Sequence, residues 1–195
     1  MSLFNYLFRR RANTRALNIL LVTNGLVLIA GAMLGPIYAL FVKDVGGDLL
    51  DASLAGAVFA ASAGVTAYVS GRFADRMKRG EFVIVAGYLM MGVGYLVLTQ
   101  ASSIGHLLFA QVVIGIGEAV YSPAFDGVYS RHLTKHAQGS EWGRWEMMNY
   151  FTIAGGALVG GIIVTLTSFD TIFVVMALLC IGSASYIVSL RKHIL

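Results

Sequence analysis

A chain of 195 residues with 57% hydrophobic and only 12% charged side chains has too little polar surface to wrap a soluble core of its own size, and its mean hydropathy of +0.76 points to a membrane class. The net charge of +4 is no nucleic-acid footprint, because the cations sit in clusters between apolar blocks and do not line one helix face. One cysteine, Cys180, excludes a disulfide framework within the chain and reads as a small packing residue.

In chain order, residues 1–16 form an N-terminal segment in which Leu3, Phe4, Tyr6, Leu7 and Phe8 precede Arg9, Arg10 and Arg11, the pattern of a short helix at a membrane interface. Residues 17–195 read as one transmembrane domain of six apolar blocks, each near the ~20 residues that cross a hydrocarbon core of roughly 30 Å. The first, Leu17–Val42, contains Ala30-Gly31-Ala32, the small-x-small form of a signal cleavage site. It is longer than a signal core and continues past that point, so it reads as a spanning helix. Pro36 removes a backbone hydrogen bond and predicts a bend there.

The remaining blocks are Ser53–Ser70, Phe82–Thr99, His106–Phe125, Trp145–Leu166 and Thr171–Leu190. Barrel strands would be about half as long and would alternate apolar with polar residues, whereas these blocks are apolar throughout, with Gly and Ala interspersed. An all-α membrane protein with six transmembrane helices follows. Thirteen of the fourteen cations fall on one side of this arrangement, against Lys43 beside Asp44, Asp48 and Asp51 on the other. Both termini are therefore expected in the cytoplasm. Among the many glycines, Gly87 and Gly94, or Gly156, Gly160 and Gly161, fit close helix packing.

Within the blocks, Glu118 stands out, because an ionisable group deep in lipid faces a cavity or a partner. It reads either as a proton carrier or cation ligand, or as a structural hydrogen bond between helices. Asn24, Tyr38, Thr66, Gln111, Tyr121 and Asn149 are polar positions that outline a cavity only as a set; each alone fits interhelical bonding better. No metal, nucleotide or nucleophile constellation is present. His132 and His136, one turn apart, lack further ligands, and the glycines have no phosphate-loop spacing. Neither an enzyme nor a cofactor is expected.

The turn Gly71-Arg72-Phe73-Ala74-Asp75-Arg76-Met77-Lys78-Arg79-Gly80 resembles the loop pattern Gly-x-x-x-Asp-Arg-x-Gly-Arg-Lys of the major facilitator superfamily. Gly71, Asp75, Arg76 and Arg79 match; Lys78 replaces a glycine and Gly80 a basic residue. Along the first block Gly31 to Tyr38, then Phe41 and Asp44-Val45-Gly46-Gly47, are similar to that family's first helix. Gln111, Gly115, Gly117, Ala119 and Pro123 resemble its fourth, with Gln111 in place of an arginine carried by many proton-coupled members. In the fifth, Gly156-Ala157 and Gly160-Gly161 follow the antiporter spacing, with Thr152 replacing a glycine and Ala157 a proline. The run around Glu118 is similar to the spinster group of lysolipid and sphingolipid exporters, where the matching acid is functional.

The resemblance implies half of a major facilitator fold, with three-plus-three inverted repeats, in the inner membrane. It implies a gate in which Asp126 pairs with Arg79, and it leans weakly to an antiporter. One bundle cannot enclose a midplane site, so the expected partners are the lipid bilayer, a small-molecule substrate and either a second copy or a separate six-helix half. The expected activity is secondary transport by alternating access, with Glu118 as the coupling group. The alternatives are a truncated N-terminal half of a full-length carrier and a scaffold or regulator that transports nothing.

Overall fold

The computed structural model describes the backbone of residues 3–77 and 79–190. The side chains of 3–13, of Ala74 and of Asp75 lie outside the described part, as do Lys78 and the basic C-terminal residues Arg191 and Lys192. Helix α1 runs from Leu3 to Leu34, a 3₁₀ turn covers Gly35–Ile37, and α2 covers Tyr38–Asp44. Then follow α3 (Leu49–Arg76), α4 (Gly80–Leu98), α5 (Ile104–His132), α6 (Gln138–Leu166) and α7 (Phe169–Ser189). Among the described residues six spans are long and apolar enough to cross a membrane, the first comprising the part of α1 from Thr14, the 3₁₀ turn and α2 to Asp44.

The helices outrun the apolar blocks because hydropathy marks only the part that sits in hydrocarbon. Thus α6 starts at Gln138, ahead of Trp145, and α5 continues past Phe125 to His132. Of the segment expected to lie apart at residues 1–16, residues 3–16 are helical and continuous with the first span, as no glycine or proline interrupts the chain before Gly25. Likewise the turn expected over Gly71–Gly80 is shorter. Gly71–Arg76 are the last helical residues of α3, and Met77 N–H still donates to Phe73 C=O at 3.1 Å.

Helices that begin at the acidic end of the bundle carry side-chain caps. Asp48 accepts from the amides of Leu50 (2.8 Å) and Asp51 (3.0 Å), and Asp51 accepts in return from the amide of Asp48 (2.9 Å), a reciprocal box that starts α3. Ser103 and Ser168 cap α5 and α7, each accepting a backbone amide at 3.4 Å. Gly46, at φ +88°, makes the turn into the Asp48 cap, a conformation that L side chains rarely adopt. At the opposite end α4 and α6 start without side-chain caps. There Glu141, in the first turn of α6, instead receives the Thr134 amide (2.7 Å) and hydroxyl (3.0 Å), closing the connection from α5.

The contacts arrange α3, α5, the first span and α6 in a row, with α4 and α7 behind it. Helix α5 packs on α3 and α4, α4 on α7, and α1 on α6 and α7. Because lipid is as apolar as leucine, close packing and not burial from water holds such a bundle. Helices α4 and α5 approach closely at Gly87 and Gly117, where a Cβ on Gly87 would lie 2.6 Å from Gly117 C=O. Helices α3 and α6 stand at the ends of the row; only 6% and 17% of their apolar windows are buried, against 39% to 50% for the other spans.

Candidate functional site

Helix α5 is gripped from two sides. Gly115 faces α3, where an added Cβ would meet Ser62 and lie 2.6 Å from Phe59 C=O. Gly117 faces α4, where it would lie 2.8 Å from the Met91 amide nitrogen. Two residues on a helix differ by about 200°, so this Gly-x-Gly pair serves opposite neighbours. Gln111, Ile114 and Glu118 share one face at three- and four-residue spacing, and all three line a cavity of about 320 Å³.

The other walls come from Gly31, Leu34, Gly35 and Tyr38 of the first span and from Gly56 and Phe59 of α3. Tyr95 of α4 and Met176 of α7 close the back. The bend at Gly35–Ile37, which contains Pro36, brings Tyr38 over Gln111, whose Nε2 donates to Tyr38 Oη at 2.9 Å. Glu118 is half-buried and makes no hydrogen bond or ion pair among the described residues. A mainly apolar chamber with one bridged phenol–amide pair and one acid can hold a small solute and exchange a proton or cation at the carboxylate.

The other polar positions fall elsewhere. Asn24 is 2% exposed, and its Oδ1 accepts the Tyr88 hydroxyl at 3.2 Å, joining α1 to α4. Tyr121 packs edge-on against Tyr88 with ring centroids 4.9 Å apart, inside the α4–α5 seam. Asn149 is half-buried on α6, where its backbone carbonyl accepts the Thr152 hydroxyl at 2.8 Å. Of the set, only Tyr38 and Gln111 line the chamber. Phe59, Tyr95 and Met176 also line it, and sequence reasoning passed over them because apolar and aromatic residues inside a span carry no distinguishing mark.

Pro123 leaves a mark on the packing of α5 against α3. A proline nitrogen cannot donate to the carbonyl four residues earlier, which leaves Ala119 C=O without its helical partner. The buried Ser70 hydroxyl of α3 donates to that oxygen. Ser70→Ala is expected to lower stability by about 1 kcal/mol, and Pro123→Ala in the same chain should restore it by returning the amide. Thermal unfolding of the two single variants and the double variant in detergent measures the cycle.

At the basic end, Gly71 is half-buried with open space where a Cβ would stand, and Arg76 is exposed. Asp126 is exposed, one turn before the buried Tyr129, and no ion pair joins it to Arg79, whose guanidinium lies 5.4 Å over the Phe82 ring. Asp75, the acid of the loop pattern, has its side chain outside the described part. Phe125, Tyr129, Trp142 and Trp145 form a continuous aromatic cluster between α5 and α6, with centroid separations of 5.6, 5.0 and 5.9 Å. In the α1–α6 seam, Gly156 lies where a Cβ would be 2.8 Å from Ala32 Cβ, and Gly160 lies directly on Met33 C=O, whereas Gly161 faces open space. Among the described residues no group of three or more metal-ligating side chains forms.

A family profile described as Major Facilitator Superfamily matches residues 20–193. Among curated proteins, the chain is similar to the "Multidrug resistance protein MdtG" of Erwinia billingiae, at 24% identity over 96% of this chain and 46% of that protein. The chain thus spans about half the length of the curated relative it matches.

Proposed function

The chain belongs to the major facilitator superfamily, a family of membrane transporters, and is a multi-pass membrane protein; on that footing we propose that it is one six-helix half of a secondary carrier in the inner membrane. The half pairs with a second six-helix bundle and moves a small solute by alternating access. The observation that carries this reading is the 320 Å³ chamber holding Glu118 between the first span, α3 and α5, on the row of helices whose ends are the sparsely buried α3 and α6. A second bundle laid against that row would close the chamber and put it at the midplane. A second copy, a separate chain or further residues of a longer polypeptide supply the second bundle equally well in geometry. With two copies, α3 of each would meet α6 of the other around a two-fold axis.

In this scheme Glu118 couples flux to an ion gradient, and Gln111 with Tyr38 orients the solute. Gly71, Asp75, Arg76, Arg79 and Asp126 form a gate at the basic end. The Asp126–Arg79 pair is closed in one state and open in the other. Efflux is the favoured direction, on the name of the MdtG relative and the glycine spacing of α6.

Cross-linking tests the assembly. Val65 and Tyr150 are exposed mid-helix positions on α3 and α6, and the natural Cys180 is buried and slow to react. A chain carrying Val65→Cys and Tyr150→Cys should give disulfide-linked dimers in membranes. Exclusively monomeric products reject the two-copy arrangement. Separately, Gln111→Leu should weaken substrate binding severalfold while leaving the helical circular dichroism spectrum unchanged.

A further inference from the structure

A second cavity, of about 330 Å³, lies between α1 and α6 and has no place in the transport scheme. Its walls are Leu21, Val22, Gly25, Leu26, Ile29, Met147, Met148 and Thr152, and Arg144 is its one charged lining residue. It opens away from the chamber. Val22 stands nine residues before Gly31 of the chamber wall, and nine residues are two and a half helical turns, which places the exposed Val22 edge of the groove on the face of α1 opposite Gly31. The groove therefore faces the side of the bundle that the bilayer covers, not the side assigned to a second bundle. Val22 is 60% and Met147 54% exposed along it.

The groove also has a polarity along its length. Its deep part is aliphatic and thioether, while its mouth carries Arg144, at the level of α6 where Trp142 and Trp145 turn toward α5 and mark a membrane boundary. The guanidinium is exposed and makes no ion pair among the described residues. The nearest acid on its helix face, Glu141, has both carboxylate oxygens occupied by Thr134. Glu146, two residues after Arg144, points about 200° away from it around the helix. A free cation at headgroup depth above an apolar slot is complementary to one kind of molecule the membrane supplies in quantity.

We propose that the α1–α6 groove is a binding site for an anionic phospholipid of the surrounding leaflet, its acyl chain along Val22, Leu26, Met147 and Met148 and its phosphate on Arg144. The site is independent of the transport reading, since it requires neither a second bundle nor an occupied chamber. The volume sits at the lower end of the roughly 300–1,000 Å³ of small-ligand pockets, suited to part of one chain. Methionines at 147 and 148 fit an occupant of variable shape, their unbranched side chains re-packing around it.

The two tryptophans of the chain, Trp142 and Trp145, stand on α6 within two residues of Arg144, at the depth of the groove's mouth, so they report on lipid at that level. The full chain is reconstituted in phosphatidylcholine vesicles containing increasing fractions of phosphatidylglycerol with brominated acyl chains, or of phosphatidylcholine brominated in the same way, and tryptophan quenching is read. Brominated phosphatidylglycerol should be preferred by about fivefold, the scale of one interfacial cation. Arg144→Gln should abolish the preference and Arg144→Lys should keep most of it. Val22→Phe should lower quenching by both lipids by filling the slot, and Arg72→Gln, in the last turns of α3 at the other end of the row, should change nothing. Equal quenching by the two lipids overturns the proposal. So does a preference that survives Arg144→Gln in a chain with native circular dichroism, or one that disappears equally in Arg72→Gln, which would assign it to diffuse charge at the basic end.

Discussion

Substituting Glu118 by glutamine is expected to abolish ion-coupled flux, lowering it by more than about a hundredfold in proteoliposomes under a pH gradient, while the bundle stays folded. Glutamine has nearly the shape of glutamate, and the half-buried carboxylate makes no hydrogen bond or ion pair among the described residues whose loss would loosen the helices. The change therefore removes a titratable group from the chamber and little else. The loss should appear in gradient-driven transport, whereas solute exchange without a gradient should persist at a measurable rate. Full gradient-driven transport by the glutamine variant would take the coupling role away from Glu118. Loss of folding instead, read as a lower unfolding temperature, would favour the structural hydrogen-bond reading of this acid.

The second large effect lies in the packing. Gly160→Ala should cost about 3 kcal/mol or more, since its Cβ would fall on the Met33 carbonyl, and backbone cannot yield as a flexible side chain does. The same substitution one residue further on, Gly161→Ala, meets nothing within 4 Å and should be neutral or mildly stabilising, because alanine is the better helix former. Limited proteolysis in detergent would show α6 released first in the Gly160 variant, as α6 is held mainly by α1. Equal stability of the two variants would mean that the α1–α6 contact yields easily. The contrast matters for function, because the chamber and the lipid groove both use α1 as a wall.

Much of the architecture was legible because the bilayer imposes a length. Six apolar blocks near twenty residues admit few alternatives to six helices, and a carboxylate as deep in one block as Glu118 marks a cavity or partner by its position alone. The ends of the helices were less legible. Polar residues of α6 from Gln138 and of α3 through Arg76 are helical in the structure, yet hydropathy treats them as connection. Among the polar side chains, the sequence held no sign that separates Gln111, which meets Tyr38 in the chamber, from Asn24, which is tied to Tyr88 behind it. Both are amides inside apolar helices, and only their neighbours distinguish them. Ser70 was in principle within reach, since Pro123 announces a freed carbonyl at Ala119, but which residue answers it depends on the α3–α5 contact.

The sequence by itself determined what the chain must be in a membrane: the number of spans, their helical form, the basic end and the likeness to one transporter family. Each of these follows from local facts, the length of an apolar run, the count of cations in a connection or the spacing of a motif. Only the tertiary structure decided which faces of those helices meet, hence that Glu118 shares a chamber with Tyr38 and Gln111 and that Arg144 heads a groove on the far side of α1. In a lipid-embedded helix every face is apolar, so hydrophobicity does not say which one turns inward; close packing at Gly117, Gly156 and Gly160 does, and that contact exists only once the helices are assembled.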